Sequence, residues 1–451
     1  MAGPGKGRHR PMDAFRIQGP CRLAGRLAVD GSKNAALPLM AAALLTDEPV
    51  TLTNVPDLSD IGNMGRLLGK LGCDVRLNHD SLTIHSTDAS QMHARYEIVR
   101  TMRASICVLG PMLAKRKYAR VSMPGGCAFG ARPVDLHLRG LEALGAKIEL
   151  HGGDIIATCD RLKGATIFLG GAFGSTVLGT ANVMCAATLA QGRTIIESAA
   201  CEPEVVDVAD LLIAMGAKIR GAGTPRIIID GVDELNGAKH KVMPDRIVAG
   251  TYAIAAAITS GDLILDDFPY DHLLATIDVL GRVGVDIELD KPDGDLRCCT
   301  VRVTGRRMLK PVIFTTQPHP GFPTDLQAQM MALLCQAVGN SIITEKIYPE
   351  RFMHVAELGR MGAQLVRQGA TVIVQGMNRL VGAPVMASDL RASACLVLAG
   401  LAAEDETTVS RVYHLDRGYM HMDDTLNGLG ARIERFSADV KSESAALADV
   451  A

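Results

Sequence analysis

The chain has 451 residues, 48% hydrophobic and 21% charged, with 47 Lys+Arg against 49 Asp+Glu. That balance excludes a disordered chain and a global basic field for nucleic acid, so any anion site must be local. Eleven Cys with no CxxC spacing exclude a fully paired disulfide framework and the common zinc ribbons, and 4% aromatics with no Trp exclude base-stacking platforms.

Residues 1–12 are basic and lack an apolar run, which reads as a ragged tail rather than a secretory signal. From Phe436 the chain turns Ser/Ala/Asp-rich, and 437–451 is expected to be a flexible tail. No run of about 18 apolar residues occurs, so no membrane span is expected. The reading is a soluble cytoplasmic protein with reduced thiols.

Length alone suggests three domains at about 150 residues each, but a repeat changes that. The phrase apolar-Gly-small-polar-apolar appears at Leu71-Gly72-Cys73-Asp74-Val75 and Leu144-Gly145-Ala146-Lys147-Ile148. It returns around Gly216, Gly284, Gly362 and Gly430, at spacings of 68 to 78 residues. Each copy reads as a helix end with glycine in the left-handed cap, followed by a strand. Upstream of each lie two helices with a strand between them. The first is apolar all round and therefore buried (34–45, 102–113, 180–189, 246–258, 325–337, 390–401); the second is amphipathic. The unit is β-α-β-α-β-β, too small to stand alone, so units must cluster around their buried helices.

Four buried helices begin with a cation, at Lys33, Arg103, Arg246 and Arg391, and second helices have Arg132, Arg351 and Arg417 at theirs. The helix dipole disfavours such placement. Seven repetitions in corresponding places point to helix starts converging on a polyanionic ligand, such as a phosphate plus a carboxylate.

Cys107, Cys185, Cys335 and Cys395 fall within apolar helices and read as core, and Cys298-Cys299 lack metal partners at useful spacing. Cys127 differs. It follows Gly125-Gly126, precedes Gly130, and has Arg132 five residues on. A neighbouring cation favours a reactive thiolate, yet an ordinary exposed loop cysteine fits the same residues equally well. In the stretch His319 to Asp325, Thr324 or Asp325 caps the following helix, the simpler reading. Alternatively, Asp325 faces the cation cradle as a general base.

These segments together resemble the UDP-N-acetylglucosamine enolpyruvyltransferase family. The likeness rests on Gly31-Ser32-Lys33-Asn34-Ala35-Ala36, Arg100-Thr101-Met102-Arg103, Pro124 to His137, Glu202-Pro203-Glu204, Pro244-Asp245-Arg246, Phe322 to Gln329, Arg351-Phe352-Met353-His354, Asp389-Leu390-Arg391 and Asp416-Arg417-Gly418-Tyr419. The resemblance implies two inside-out α/β barrel domains, each of three β-α-β-α-β-β repeats around buried helices, with the active site in the interdomain cleft. One domain would be continuous over 33–243; the other would join 1–32 to 244–436. The implied activity moves enolpyruvate from phosphoenolpyruvate to the 3′-hydroxyl of UDP-N-acetylglucosamine through a tetrahedral ketal. It is the first committed step of peptidoglycan precursor synthesis, hence of cell wall, cell shape and division.

On this resemblance Cys127 is the proton donor, adduct-forming thiol and fosfomycin target, and Asp325 the base. Lys33, Asn34, Arg132, Arg351, Arg391 and Arg417 would serve phosphoenolpyruvate. Arg103, Arg132, Pro133, Val134, Asp135, Leu136, Thr176, Val177, Asp325 and Ile347 would serve UDP-N-acetylglucosamine. No cofactor, metal, nucleic acid or membrane partner is implied, and nothing indicates an oligomeric state. One departure stands out. The stretch 170–180 is longer than the family's diphosphate loop, so Thr176-Val177 or Gly174-Ser175 would make that contact. Three other readings differ in kind. The shikimate-3-phosphate enolpyruvyltransferases share the fold without the Cys127 loop, a non-catalytic scaffold needs no converging cations, and a Cys-His hydrolase would pair Cys127 with a base.

Overall fold

The computed structural model describes residues 12–78, 81–124, 134–376 and 379–438. Six four-stranded sheets account for nearly all the strands, and all six share one design. In the clearest case, His93–Ala94 pairs in parallel with Tyr118–Ser122. The latter pairs antiparallel with Asp154–Thr158, which turns back on Lys147–His151. A parallel neighbour requires a crossover, and the apolar helix between the first two strands provides it. The amphipathic helix Asp135–Ala143 then leads to the hairpin. This is the expected β-α-β-α-β-β unit.

Three strands join from a distance and close the repeats into two groups. Lys239–Lys241 pairs in parallel with Val50–Thr53. Ala24–Ala28 pairs in parallel with Asp262–Phe268. Met12–Gly19 lies between Asp405–Ser410 and Ile433–Ala438. Two separate apolar cores result, one built from Ala35 through Met243, the other from Phe15–Val29 together with Ile247 through Ile433. In both, the helices are innermost. All thirteen residues of Arg246–Ile258 are buried, whereas strands such as Asn340–Thr344 alternate between core and outer face.

The six phrase glycines all take the left-handed conformation, with φ of 84, 95, 104, 102, 88 and 101°. That is the helix-cap geometry expected of them, and a residue with a Cβ is strained there.

Several expectations need correction. Residues 102–113 are not one helix: a 3-10 stretch Arg103–Val108 precedes the α-helix Leu109–Arg116. Pro111, which lacks an N–H, fits because it falls in the first turn of that shorter helix. Likewise a 3-10 turn Thr324–Leu326 precedes the helix Gln327–Leu334. The helix expected from 180 starts at Val177. Met12 and residues 437–438, read as tail, belong to the strands of one sheet, in register Met12↔Ala438.

Two glycines separate conformational strain from steric exclusion. A Cβ on Gly145 meets open space at φ +95°, whereas one on Gly231 would lie 1.7 Å from the Ala190 carbonyl oxygen. Gly145→Ala is expected to cost about 1 kcal/mol, and Gly231→Ala about 3 kcal/mol. Calorimetric melting of both variants checks this; equal losses would refute the distinction.

Candidate active site

The chain passes between the two cores at two places, and these places lie side by side. Gly31 and Pro244 form an antiparallel bridge. Ser32 N–H donates to the Met243 carbonyl at 2.7 Å, and Asp245 N–H to the Asp30 carbonyl at 2.8 Å. Gly31 is required here, since a Cβ would lie 1.7 Å from the Asn54 carbonyl oxygen. Asp245 then caps the helix Arg246–Ile258, accepting from Ile247 and Val248 N–H through Oδ1. Its Oδ2 accepts the Lys33 N–H at 3.2 Å. One carboxylate thus ties together the starts of a buried helix from each core.

At this junction five of the seven cations stand together with three carboxylates. Arg246 makes a buried two-pronged pair with Glu204, at 2.9 and 3.2 Å. Lys33 Nζ lies 3.6 Å from Asp60 Oδ2. Arg417 reaches the same carboxylate from the other core, at 3.1 and 3.4 Å. Asp325 accepts from Arg351 at 2.7 Å and from Arg391 at 2.8 Å. Burial pushes the Lys33 ammonium below the ordinary lysine range; Asp60 opposes that, and Arg391 and Arg417 reinforce it. Asp325 also acts on both Lys33 and Arg246, so the pairs form one electrostatic cluster.

The cap reading of Asp325 is overturned. Neither Thr324 nor Asp325 makes a side-chain cap for the turn or the helix that follows. Burial would raise the Asp325 carboxyl, but Arg391 and Arg351 hold it well below the usual carboxylate range. About a quarter of its side chain, 27%, stays open, against 7% and 5% for the two arginines. An ionised carboxylate with one open side is able to accept a hydrogen bond from an incoming hydroxyl. A buried shelf supports it: Glu345 accepts from Thr316 and Thr324 hydroxyls and from Ile347 and Tyr348 N–H. Arg351 donates in turn to Thr324 Oγ1 at 3.0 Å.

Cys127, Arg132 and Pro133 lie outside the described residues. Of the stretch that follows, Val134 is buried, Asp135 exposed and Leu136 half-buried at the start of Asp135–Ala143. Leu136 lies against the hairpin of Gly170–Gly171 and Gly174–Ser175, and Pro318 of the second core approaches Gly174. The stretch expected to be a lengthened loop thus holds a short hairpin between Leu136 and Pro318. Thr176 is the N-cap of Val177–Ala187, its hydroxyl accepting the Gly179 N–H and keeping its own proton free to donate. Asn34 follows Lys33 in the helix Lys33–Ala42 and is half-buried. Arg103 acts on Cys107 and His137 in the first core. Arg351 and Arg417 precede their second helices, Met353–Arg360 and Met422–Gly428, instead of opening them. Arg417 ends a 3-10 turn, Val412–Arg417.

Sequence reasoning missed Asp60, Glu345 and the roles of Glu204 and Asp245. A signal existed for one: Asp60 is the acidic residue in the first turn of the amphipathic helix Ser59–Lys70, a common placement that gave no cause to single it out.

The family model for EPSP synthase (3-phosphoshikimate 1-carboxyvinyltransferase) matches residues 17–426. A UDP-N-acetylglucosamine 1-carboxyvinyltransferase of Desulfovibrio desulfuricans is 52% identical over 424 residues, 94% of this chain and 99% of its own. UDP-N-acetylglucosamine 1-carboxyvinyltransferase 2 of Carboxydothermus hydrogenoformans is 51% identical, covering 94% of this chain and 100% of its own. Among solved structures, an enolpyruvyl transferase of Streptomyces tendae matches with a TM-score of 0.85 at 24% identity, over 95% of this chain and 100% of its own. EPSP synthase of Acinetobacter baumannii matches at 0.74 and 18%, over 94% and 100%.

The junction also holds a titrating carboxyl. Burial first, then Asp245, raises Asp30 to about 6, with His421 opposing. A free aspartate titrates near 3.9. Between these values the folded chain keeps a proton that the unfolded chain has lost, so stability falls as pH rises through about 6. Asp30→Asn is expected to melt progressively higher relative to the parent as pH is raised from 4.5 to 7. A difference in melting temperature that is constant with pH would refute it.

Proposed function

Because the chain belongs to the EPSP synthase family of carboxyvinyltransferases, and within it to the UDP-N-acetylglucosamine 1-carboxyvinyltransferases, we propose that it transfers enolpyruvate from phosphoenolpyruvate to the 3′-hydroxyl of UDP-N-acetylglucosamine and releases phosphate. The observation that carries the reading is Asp325, a carboxylate open on one side and gripped by two buried arginines beside buried Lys33. Relatives near 50% identity over 94% of the chain favour this acceptor over shikimate 3-phosphate.

The chemistry asks for an acid near C3 of the enol, a base near the sugar hydroxyl and cations around phosphate and carboxylate. In our assignment Cys127 protonates C3 while the 3′-oxygen adds to C2 and gives its proton to Asp325. In the resulting ketal, loss of a C3 proton and departure of phosphate restore the double bond. Lys33, Arg132 and Arg417 receive the phosphoryl group, Arg351 and Arg391 line the same place, and Asn34 and Arg103 meet the substrates where they join. The nucleotide side is given to Pro133, Val134, Asp135 and Leu136, with Val177 and Ile347, and Thr176 or the Gly174-Ser175 hairpin near the diphosphate.

A carboxylate held far below neutrality is a weak base. Anionic substrate groups that draw Arg351 or Arg391 away loosen that hold and raise Asp325 basicity. The base is thereby strengthened by the arrival of the molecule it serves. We place this activity in the cytoplasm, at the first committed step of peptidoglycan precursor synthesis, with Cys127 as the thiol that fosfomycin alkylates.

The test is phosphate release from phosphoenolpyruvate with UDP-N-acetylglucosamine, with shikimate 3-phosphate as control. Release is expected with the first acceptor only, and none with either would end the reading. Asp325→Ala is expected to lower turnover at least about a hundredfold while UDP-N-acetylglucosamine still raises the melting temperature. Near-normal turnover would remove Asp325 from the base role.

A further inference from the structure

Tyr419 stands two residues after Arg417, and nothing in the assignment above uses it. It is 1% exposed, and its hydroxyl meets three different helices of the second core. Thr251 Oγ1, from Arg246–Ile258, lies 2.9 Å away. Gln329 Nε2, from Gln327–Leu334, and Arg391 Nη1, from Leu390–Ala402, each lie at 3.2 Å.

The direction of each bond follows from counting protons. Thr251 uses its one hydroxyl proton on the Ile247 carbonyl at 2.8 Å. With its proton placed there, Thr251 Oγ1 accepts from Tyr419 and from Gln329 Nε2 at 3.1 Å. The phenol oxygen is then left to accept, and Arg391 Nη1 faces it as a donor; Gln329 Nε2, with two protons, lies within reach of three acceptors, Tyr419, Thr251 and the Asp325 carbonyl. The Gln329 amide is oriented by the Asp325 carbonyl, which accepts from its Nε2 at 3.0 Å and cannot donate. A one-way chain runs from the Arg391 guanidinium through Tyr419 and Thr251 to a helix carbonyl. Each bond polarises the next in a dry interior.

The other end of Arg391, Nη2, is on Asp325 Oδ2 at 2.8 Å. The guanidinium is thus fixed on one side by a carboxylate that substrate anions contest and on the other by a neutral oxygen that they leave in place. Gly418 strengthens the arrangement, since a Cβ there would lie 2.6 Å from Leu390 Cδ2. The segment bearing Arg417 is therefore packed directly against the start of the Arg391 helix.

We propose that Tyr419 is a positioning residue for phosphoenolpyruvate, holding Arg391 in place by its hydroxyl when Asp325 lets go. The inference rests on the enolpyruvyl reading of the cleft. It predicts a specific loss. Tyr419→Phe keeps the ring and removes only the hydroxyl. A hydrogen bond to a charged group supports an expected fall in kcat/KM for phosphoenolpyruvate of about thirtyfold. KM for UDP-N-acetylglucosamine should stay within about twofold, because its contact to this cluster, Asp325, is still held by Arg351. In an Arg391→Lys background the same substitution should cost less than about threefold, because the partner is already altered.

Phosphate release by the parent enzyme tests the premise separately, and its absence would overturn the enolpyruvyl reading and this role together. With parent turnover established, an unchanged kcat/KM in Tyr419→Phe, an equal rise in both KM values, or an undiminished loss in the Arg391→Lys background would overturn the positioning role alone. Should Tyr419→Phe fail to fold, Thr251→Val takes its place: it removes the acceptor of the tyrosine proton and must lower kcat/KM for phosphoenolpyruvate in the same selective way, and no change there would equally overturn the role.

Discussion

Cations buried at the starts of helices are tolerable only when carboxylates neutralise them, and the junction between the two cores is built around that constraint. Lys33, Arg246 and Arg391 sit where the helix dipole already presents positive potential, and each is nearly closed off from water. An unpaired charge in such a place would cost several kcal/mol. Asp60, Glu204 and Asp325 remove that cost. Two of the pairings cross between the cores, Arg417 with Asp60 and Arg246 with Glu204. The charge balance of the cleft therefore also helps set how the two cores meet.

The repeat architecture makes this arrangement available. Each unit sends one apolar helix inward, and helices buried on every side leave their N-termini as the one polar end that must emerge somewhere. With the two chain crossings lying beside each other at Gly31 and Pro244, the starts of the Lys33 and Arg246 helices are brought to a common point. Asp245 satisfies N–H groups of both. A cleft lined by helix starts is a consequence of packing, and the cations gathered there suit it to the anionic substrates proposed above.

The repeat was legible from sequence because it is written in local chemistry. Six glycines needing a positive φ and six all-apolar helices can be read one window at a time. The seven cations were legible for the same reason, being exceptions to a local rule. Their partners were not. Asp60 and Arg417 are 357 residues apart, and an aspartate in a first helical turn draws no notice. Asp325 shows the same limit from the other side. Its position before a helix suggests a cap, and only the arrival of Arg351 from later in its own unit and of Arg391 from the next takes it out of that role. Helix 102–113 was misjudged because apolar periodicity does not distinguish a 3-10 stretch from an α-helix, and the proline at 111 marks where one gives way to the other.

A site whose cations are each paired with a carboxylate would, on the proposed function, bind a polyanion by exchange rather than by simple attraction. On that reading, incoming phosphate and carboxylate groups compete with Asp60 for Lys33 and Arg417, and with Asp325 for Arg351 and Arg391. Binding is weaker than five bare cations would give, but the empty protein avoids holding them unpaired. Exchange also ties substrate charge to structure, since any ligand that displaces Asp60 from Arg417 acts on a contact between the cores. Behind the arginines stand neutral acceptors, Thr324 for Arg351 and Tyr419 for Arg391, and the proposed exchange gives them the part of keeping the arginines in place. These oxygens carry no net charge, so an arriving anion does not repel them, and they hold the guanidinium groups in place while the carboxylate in front is freed to accept a proton.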